Sequence, residues 1–191
     1  MNIVVFGAPG SGKGTQSEKL IEKYGLHHIS TGEVLRDHIA RETSIGKVAK
    51  TYISKGQLIP DSLMINILED IIDNEPKAMN GLILDGFPRT VPQAHALEEL
   101  FRGRGMKLDH VIGLEVPEDE LVDRMIKRGK ETGRADDNID TIKNRLKVYH
   151  ELTTPLRDYY MEKGKYRAIK GTGTVDGIFA AISAALEGTG K

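Results

Sequence analysis

The sequence predicts an α/β protein, with a parallel β-sheet of about five strands and helices on both faces. Three observations carry that prediction. Short aliphatic and β-branched runs alternate along the chain with segments of helical period. The first run stops at a glycine-rich turn, Gly7-Ala8-Pro9-Gly10-Ser11-Gly12-Lys13, that leads directly into a helical segment. A second run ends in a carboxylate and a glycine, Asp85-Gly86. In sheets of this kind ligands lie beyond the carboxyl ends of the strands, so the two turns are expected to meet at one site.

Asn2 to Phe6 has the β-branched and aromatic composition of a buried strand, and Gly7 ends it. Leu20, Ile21 and Tyr24 recur at helical spacing beyond Lys13, with Gly25 as the stop signal. His27 to Ser30 reads as a short strand. Thr31 to Asn74 holds two or three helices with breaks at Gly56 and Pro60, and the stripe Met64, Ile67, Leu68, Ile71, Ile72 is packing surface. Gly81 to Asp85 is the next strand, followed by a helix from near Pro92 to Phe101. His110 to Val116 is apolar and strand-like, and Pro117 suits the start of a helix over Glu118 to Arg128. Gly129 to Asp137 is polar and glycine-punctuated, the pattern of an exposed loop. A long helix from about Asn138 is disturbed at Pro155. Tyr166 to Lys170 and Val175 to Leu186 give the last strand and helix, with Glu187 to Lys191 as a fraying tail.

Composition narrows the function. The chain of 191 residues, 39% hydrophobic and 29% charged, suits a single globular domain. A net charge of -1 gives no bulk attraction to nucleic acid or an acidic membrane. The absence of cysteine excludes disulfides, thiolate metal sites and a cysteine nucleophile. Met1 to Phe6 lacks a basic leader and no apolar run approaches spanning length, so the expected location is the cytoplasm. None of His27, His28, His38, His95, His110 and His150 pairs with other ligands at metal-binding spacing.

Gly7, Gly12 and Lys13 are in register with the phosphate-cradling pattern G-x-x-x-x-G-K-[ST]. Such a turn points successive backbone N–H groups inward, while the helix start adds its positive dipole end and the lysine a point charge. The position after the lysine, which usually carries a hydroxyl, is Gly14, and Thr15 follows one residue late.

The stretch Gly7 to Gln16 resembles the loop of the adenylate kinases and other nucleoside monophosphate kinases, which ends in Gly-Lys-Gly-Thr. Further stretches match that family in order: Ser30-Thr31-Gly32-Glu33-Val34-Leu35-Arg36, Gly56 to Asp61, Asp85-Gly86-Phe87-Pro88-Arg89, Asp123-Arg124 with Arg128, and Gly133 to Asp137 followed by Arg145. The resemblance covers nearly the whole chain. It implies a P-loop NTPase-type fold in which 1–191 is one kinase domain, 31–60 a helical NMP-binding insertion and 129–137 a short lid. The reaction implied is reversible transfer from ATP to AMP, giving two ADP and serving adenine-nucleotide balance.

Matching positions imply roles. Gly10, Ser11, Gly12, Lys13, Gly14, Thr15, Arg124 and Arg128 contact ATP, and Gly173 offers main chain to its adenine. Thr31, Arg36, Gln57, Leu58, Ile59, Gly86, Phe87, Pro88, Arg89 and Gln93 hold AMP. Arg134 and Arg145 reach the phosphates from the lid, and Lys13, Arg89, Arg124, Arg134 and Arg145 share the charge of transfer. In the family magnesium is held mainly by nucleotide phosphates and water, with a carboxylate behind the waters, here Asp85; this relieves position 14 of a hydroxyl.

Many bacterial relatives carry a long lid, often with four zinc ligands. The short segment here, without cysteine, implies the short-lid form with no zinc and, by analogy, a monomer. Two other readings stand beside the main one. A UMP/CMP kinase shares fold and loop, although Thr31 and Gln93 favour adenine. An AMP-independent P-loop ATPase or switch protein would leave the acceptor-side stretches unexplained.

Overall fold

The structure, a computed structural model, describes residues 1–188. Its sheet is made of β1 (Ile3–Gly7), β2 (His27–Ser30), β3 (Leu82–Asp85), β4 (His110–Glu115) and β5 (Tyr166–Lys170), in the order β2-β3-β1-β4-β5. All pairings are parallel, with Val5 opposite Asp85 on one side and Ile112 on the other. The chain therefore starts in the middle of the sheet and crosses over β1 between β3 and β4. The carboxyl ends of β1 and β3 lie side by side at that switch point.

The helices are α1 (Lys13–Tyr24), α2 (Thr31–Ala40), α3 (Ser44–Ile53), α4 (Asp61–Asn74), α5 (Val91–Gly103), α6 (Glu118–Thr132), α7 (Ile139–Val148), α8 (Pro155–Glu162) and α9 (Val175–Glu187). Alternation along the strands sends side chains to two cores. Ile3, Val5, Ile83 and Ile112 pack with Leu20 of α1 and Ile178 and Ile182 of α9. Val4, Phe6, Leu82 and Leu84 pack on the other face with Leu68 of α4, Leu97 of α5 and Tyr160 of α8. Burying each such side chain stabilises the fold by roughly 1.5–3 kcal/mol, so the sheet is the rigid base of the molecule.

Three expectations need correction. Helix α6 runs on to Thr132, so the first residues expected in an exposed loop form its last turn. Gly129 is tolerated within that helix because a Cβ there would meet the Asp137 carbonyl oxygen at 2.9 Å. Asp136 and Asp137 are buried, paired with arginines described below. The helix after Asn138 is interrupted before Pro155, by a π-turn over Tyr149–Thr153, and Pro155 opens α8. Of the expected fraying tail, Glu187 closes α9 and pairs with Lys23 at 2.7 Å; residues 189–191 lie outside the described residues.

Candidate active site

The glycine turn after β1 hands the chain to α1 through Gly12, whose φ of 93° is left-handed and favours a residue without Cβ. No side chain caps α1 and no acidic residue stands in its first turn, so its leading N–H groups remain available to an anion. Lys13 folds back over the loop, donating to the carbonyls of Gly7 at 2.9 Å and Ala8 at 3.0 Å. Burial lowers its pKa to about 8; Asp85 opposes that shift, while Arg89, Arg145 and Arg128 add to it. A Cβ at position 14 would lie 3.9 Å from Asp85 Oδ2, so the carboxylate faces the space a loop hydroxyl would otherwise enter.

A second pocket opens beside the first. Thr31 at the start of α2 donates from Oγ1 to the Gly86 carbonyl at 2.9 Å, joining β2 to the turn after β3. Arg89 donates from Nε to that same carbonyl at 2.7 Å. Its main chain is held at both ends: its N–H donates to Gln93 Oε1 at 2.7 Å, and Thr153 Oγ1 donates to its carbonyl at 2.8 Å. Burial, then the Arg145 charge, lowers the Arg89 pKa to about 10, with Asp85 opposing. Gln93 is 2% exposed, and its Nε2 donates to Asp61 Oδ1 at 2.7 Å. Each end of that amide keeps one hydrogen-bonding position unused in this network.

The lid side is an arginine–aspartate lattice. Arg128 binds Asp137 through two bonds of 2.6 and 2.8 Å, and Arg134 binds Asp136 through two of 2.5 and 2.9 Å. Arg145 reaches both carboxylates, at 2.7 Å for Asp137 and 3.2 Å for Asp136. Burial would raise the Asp136 pKa, but the Arg134 hydrogen bonds and the charges of Arg145, Arg134 and Arg36 hold it at about 2. Arg124 lies nearer the glycine turn, paired with Glu120 and donating to the Gly171 carbonyl at 3.0 Å.

One cleft of about 620 Å³ gathers all of the expected site residues except Phe87. The Phe87 side chain is 1% exposed and packs in the core, so its main chain is the part of the residue on the cleft side. Sequence reasoning missed Asp136, Thr153 and the apolar pair Val175 and Ile178, which also line the cleft beside Gly173. It also missed Asp61. The aspartates follow Arg134 in sequence, but a polar stretch gives no sign of burial until its partners are known. Among the described residues no group of three or more His, Cys, Asp or Glu side chains could hold a metal ion, and no helix is long and apolar enough to cross a membrane.

Cations withdrawn from water, and only partly balanced by carboxylates, have a natural ligand in a string of phosphates. Set on this sheet, with one pocket at the glycine turn and another beside it, they define a phosphotransferase of the nucleoside monophosphate kinase class. The adenylate kinase family model matches residues 5–165, and the chain belongs to that family. It is 57% identical over 187 residues to an adenylate kinase of Bacteroides fragilis, covering 98% of each chain. The adenylate kinase of Bacteroides thetaiotaomicron is 58% identical over the same length, with 98% of each chain covered. That of Porphyromonas gingivalis is 49% identical over 183 residues, with 96% of this chain and 94% of the relative covered.

Proposed function

We propose that the chain transfers the terminal phosphoryl group of ATP to AMP, reversibly, with the glycine turn as donor site and the Arg89–Gln93 pocket as acceptor site. The observation that carries this reading is the juxtaposition of both pockets in one cleft, with Lys13, Arg89 and Arg145 between them. In the step, the bond from the γ-phosphorus to the ADP oxygen breaks as one to an AMP phosphate oxygen forms. No proton has to move, because a phosphate monoester with a second pKa of about 6 is already anionic near neutral pH. No side chain is therefore assigned as general base.

Gly10 to Thr15 cradle the donor phosphates with main-chain N–H groups. Arg124 and Arg128 flank them, and Gly173 offers its main chain to the donor base. Thr31, Arg36, the main chain of Gln57 to Ile59, the Gly86–Arg89 turn and Gln93 hold AMP. Lys13 and the arginines surround the migrating group with fixed positive charge, which is the main work asked of a protein in phosphoryl transfer. The lone carboxylate facing the gap at Gly14 fits a magnesium ion that keeps its waters, and Asp85 would hold it through them. Bound with ATP, that ion supplies charge neutralisation across the phosphates. By analogy with short-lid relatives the chain acts as a monomer, and both pockets and the arginines of this reading come from one chain.

The test is a panel of nucleoside monophosphate acceptors with ATP as donor, assayed with and without acceptor. AMP is expected to exceed CMP and UMP by about ten- to a hundredfold, since a smaller base leaves a buried amide unpaired. A preference for CMP or UMP would overturn the acceptor assignment alone. ATP hydrolysis indifferent to AMP would overturn the transfer itself.

A further inference from the structure

Asp61, the first residue of α4, has no nucleotide role in the mechanism above, yet its carboxylate is bound to the buried Gln93 amide that lines the acceptor side of the cleft. The two ends of a glutamine amide have the same shape, and only their partners distinguish oxygen from nitrogen. Here the partners are opposite in kind. The Arg89 main-chain N–H can only donate, and it meets Gln93 Oε1 at 2.7 Å. An ionised carboxylate can only accept, and Asp61 Oδ1 meets Gln93 Nε2 at 2.7 Å. Thr90 braces the pair: its hydroxyl is 3.3 Å from both Asp61 oxygens and accepts from the Gln93 N–H at 3.2 Å. A reversed amide would set oxygen against carboxylate and NH₂ against N–H.

We propose that Asp61 determines acceptor-base selectivity by fixing which end of the Gln93 amide is donor and which is acceptor. One N–H and one lone pair of that amide are left for a base, and their order is set. A 6-aminopurine presents a ring-nitrogen acceptor beside an amine donor, whereas a 6-oxopurine presents the same edge with the roles exchanged. The fixed amide therefore matches AMP and opposes IMP. This rests on the placement of Gln93 against the acceptor base proposed above.

The experiment compares kcat/KM for AMP and IMP, at saturating ATP, in wild type, Asp61→Ala, Asp61→Asn and Gln93→Ala, with a thermal melt of each. Freeing one anchor of a buried amide is expected to lower the AMP-to-IMP ratio about tenfold in Asp61→Ala, mainly through the acceptor KM and with the ATP KM unchanged. Asp61→Asn, which still offers an oxygen to Nε2, is expected to keep most of the ratio. If Asp61→Ala does not fold, Asp61→Ser, which suits a helix start but falls short of Gln93, is held to the same criterion. A variant that melts earlier but keeps the wild-type ratio makes Asp61 a helix-start residue only and overturns the inference. If Gln93→Ala lowers the ratio and the Asp61 variants do not, this inference fails and the base assignment survives. If Gln93→Ala leaves the ratio unchanged, both fall.

Discussion

Gly56 stands so close to Arg145 that a Cβ on the glycine would be 2.9 Å from the arginine Cγ. The same Cβ would lie 2.8 Å from the Thr141 carbonyl oxygen, and the Gly56 φ of 70° already disfavours a side chain. Around this contact Thr141 Oγ1 donates to the Ser54 carbonyl at 3.3 Å, and Asn144 Nδ2 donates to that of Lys55. The end of the segment that precedes α4 is thus seated on α7, the helix that carries Arg145.

Gly56→Ala is expected to hinder that seating, to lower kcat/KM for AMP about tenfold or more, and to lower the melting temperature by a few degrees through the strain at its positive φ. Residues 31–60 and 129–137 are expected to close together over the nucleotides, excluding water before transfer. A two-headed ATP–AMP mimic should protect the amides of both segments from hydrogen exchange in wild type and less so in the variant. Unchanged exchange in wild type would refute paired closure.

Lys13 provides a pH test. Its pKa is about 8, lowered chiefly by burial, and phosphate oxygens beside it must raise that value. Binding ATP between about pH 8 and 10 should therefore take up a proton, and affinity should fall as pH rises through that range. Titration calorimetry in buffers of different ionisation enthalpy reads the proton directly. Lys13→Met should abolish the uptake, keep the fold and lower transfer by orders of magnitude.

Asp85 should couple to both metal and lysine. Asp85→Asn is expected to raise the magnesium concentration for half-maximal rate about tenfold, since a neutral amide holds the ion's waters less firmly. Asp85 is also the one charge among the stated causes that raises the Lys13 pKa, so its loss should shift the fall in ATP affinity to lower pH. An unchanged magnesium requirement would return Asp85 to a turn-capping role.

Asp136 predicts an acid limb of stability. Burial works against its ionisation, but the Arg134 hydrogen bonds and neighbouring charges hold its pKa at about 2 against an ordinary 3.8. A carboxyl depressed on folding contributes stability above its unfolded pKa, and that contribution is lost as pH falls from about 4 to about 2. The shift corresponds to about 2 kcal/mol. Asp136→Asn should be less stable than wild type by that order at pH 7, and the difference should shrink towards pH 2 in denaturant melts.

The central strands β1, β3 and β4 were legible because each is a compact apolar run ended by glycine or a carboxylate, and the glycine turn because its spacing is itself the chemistry. What stayed hidden depends on partners far off in sequence. Asp137 reads as a solvated loop residue until Arg128 and Arg145 are seen to converge on it. Asp61 reads as a helix start until α5 brings Gln93 beside it. Gly129 reads as a helix stop, but the close approach of Asp137 gives it a packing reason inside α6. Phe87 belongs to a motif whose main chain borders the cleft while its ring turns into the core.

The strand order has a consequence for biosynthesis. The strand made first is the central one, and it pairs Ile3 with Ile83 on one side and with His110 on the other. Sheets that depend on such distant partners form late, because the intervening chain must first be closed into a loop. A nascent chain ending before β4 leaves that edge of β1 without its partner strand, and it lacks Arg124, Arg134 and Arg145. The glycine turn is therefore translated early but has little to hold a nucleotide until most of the protein has left the ribosome, so nucleotide cannot template the early stages of folding.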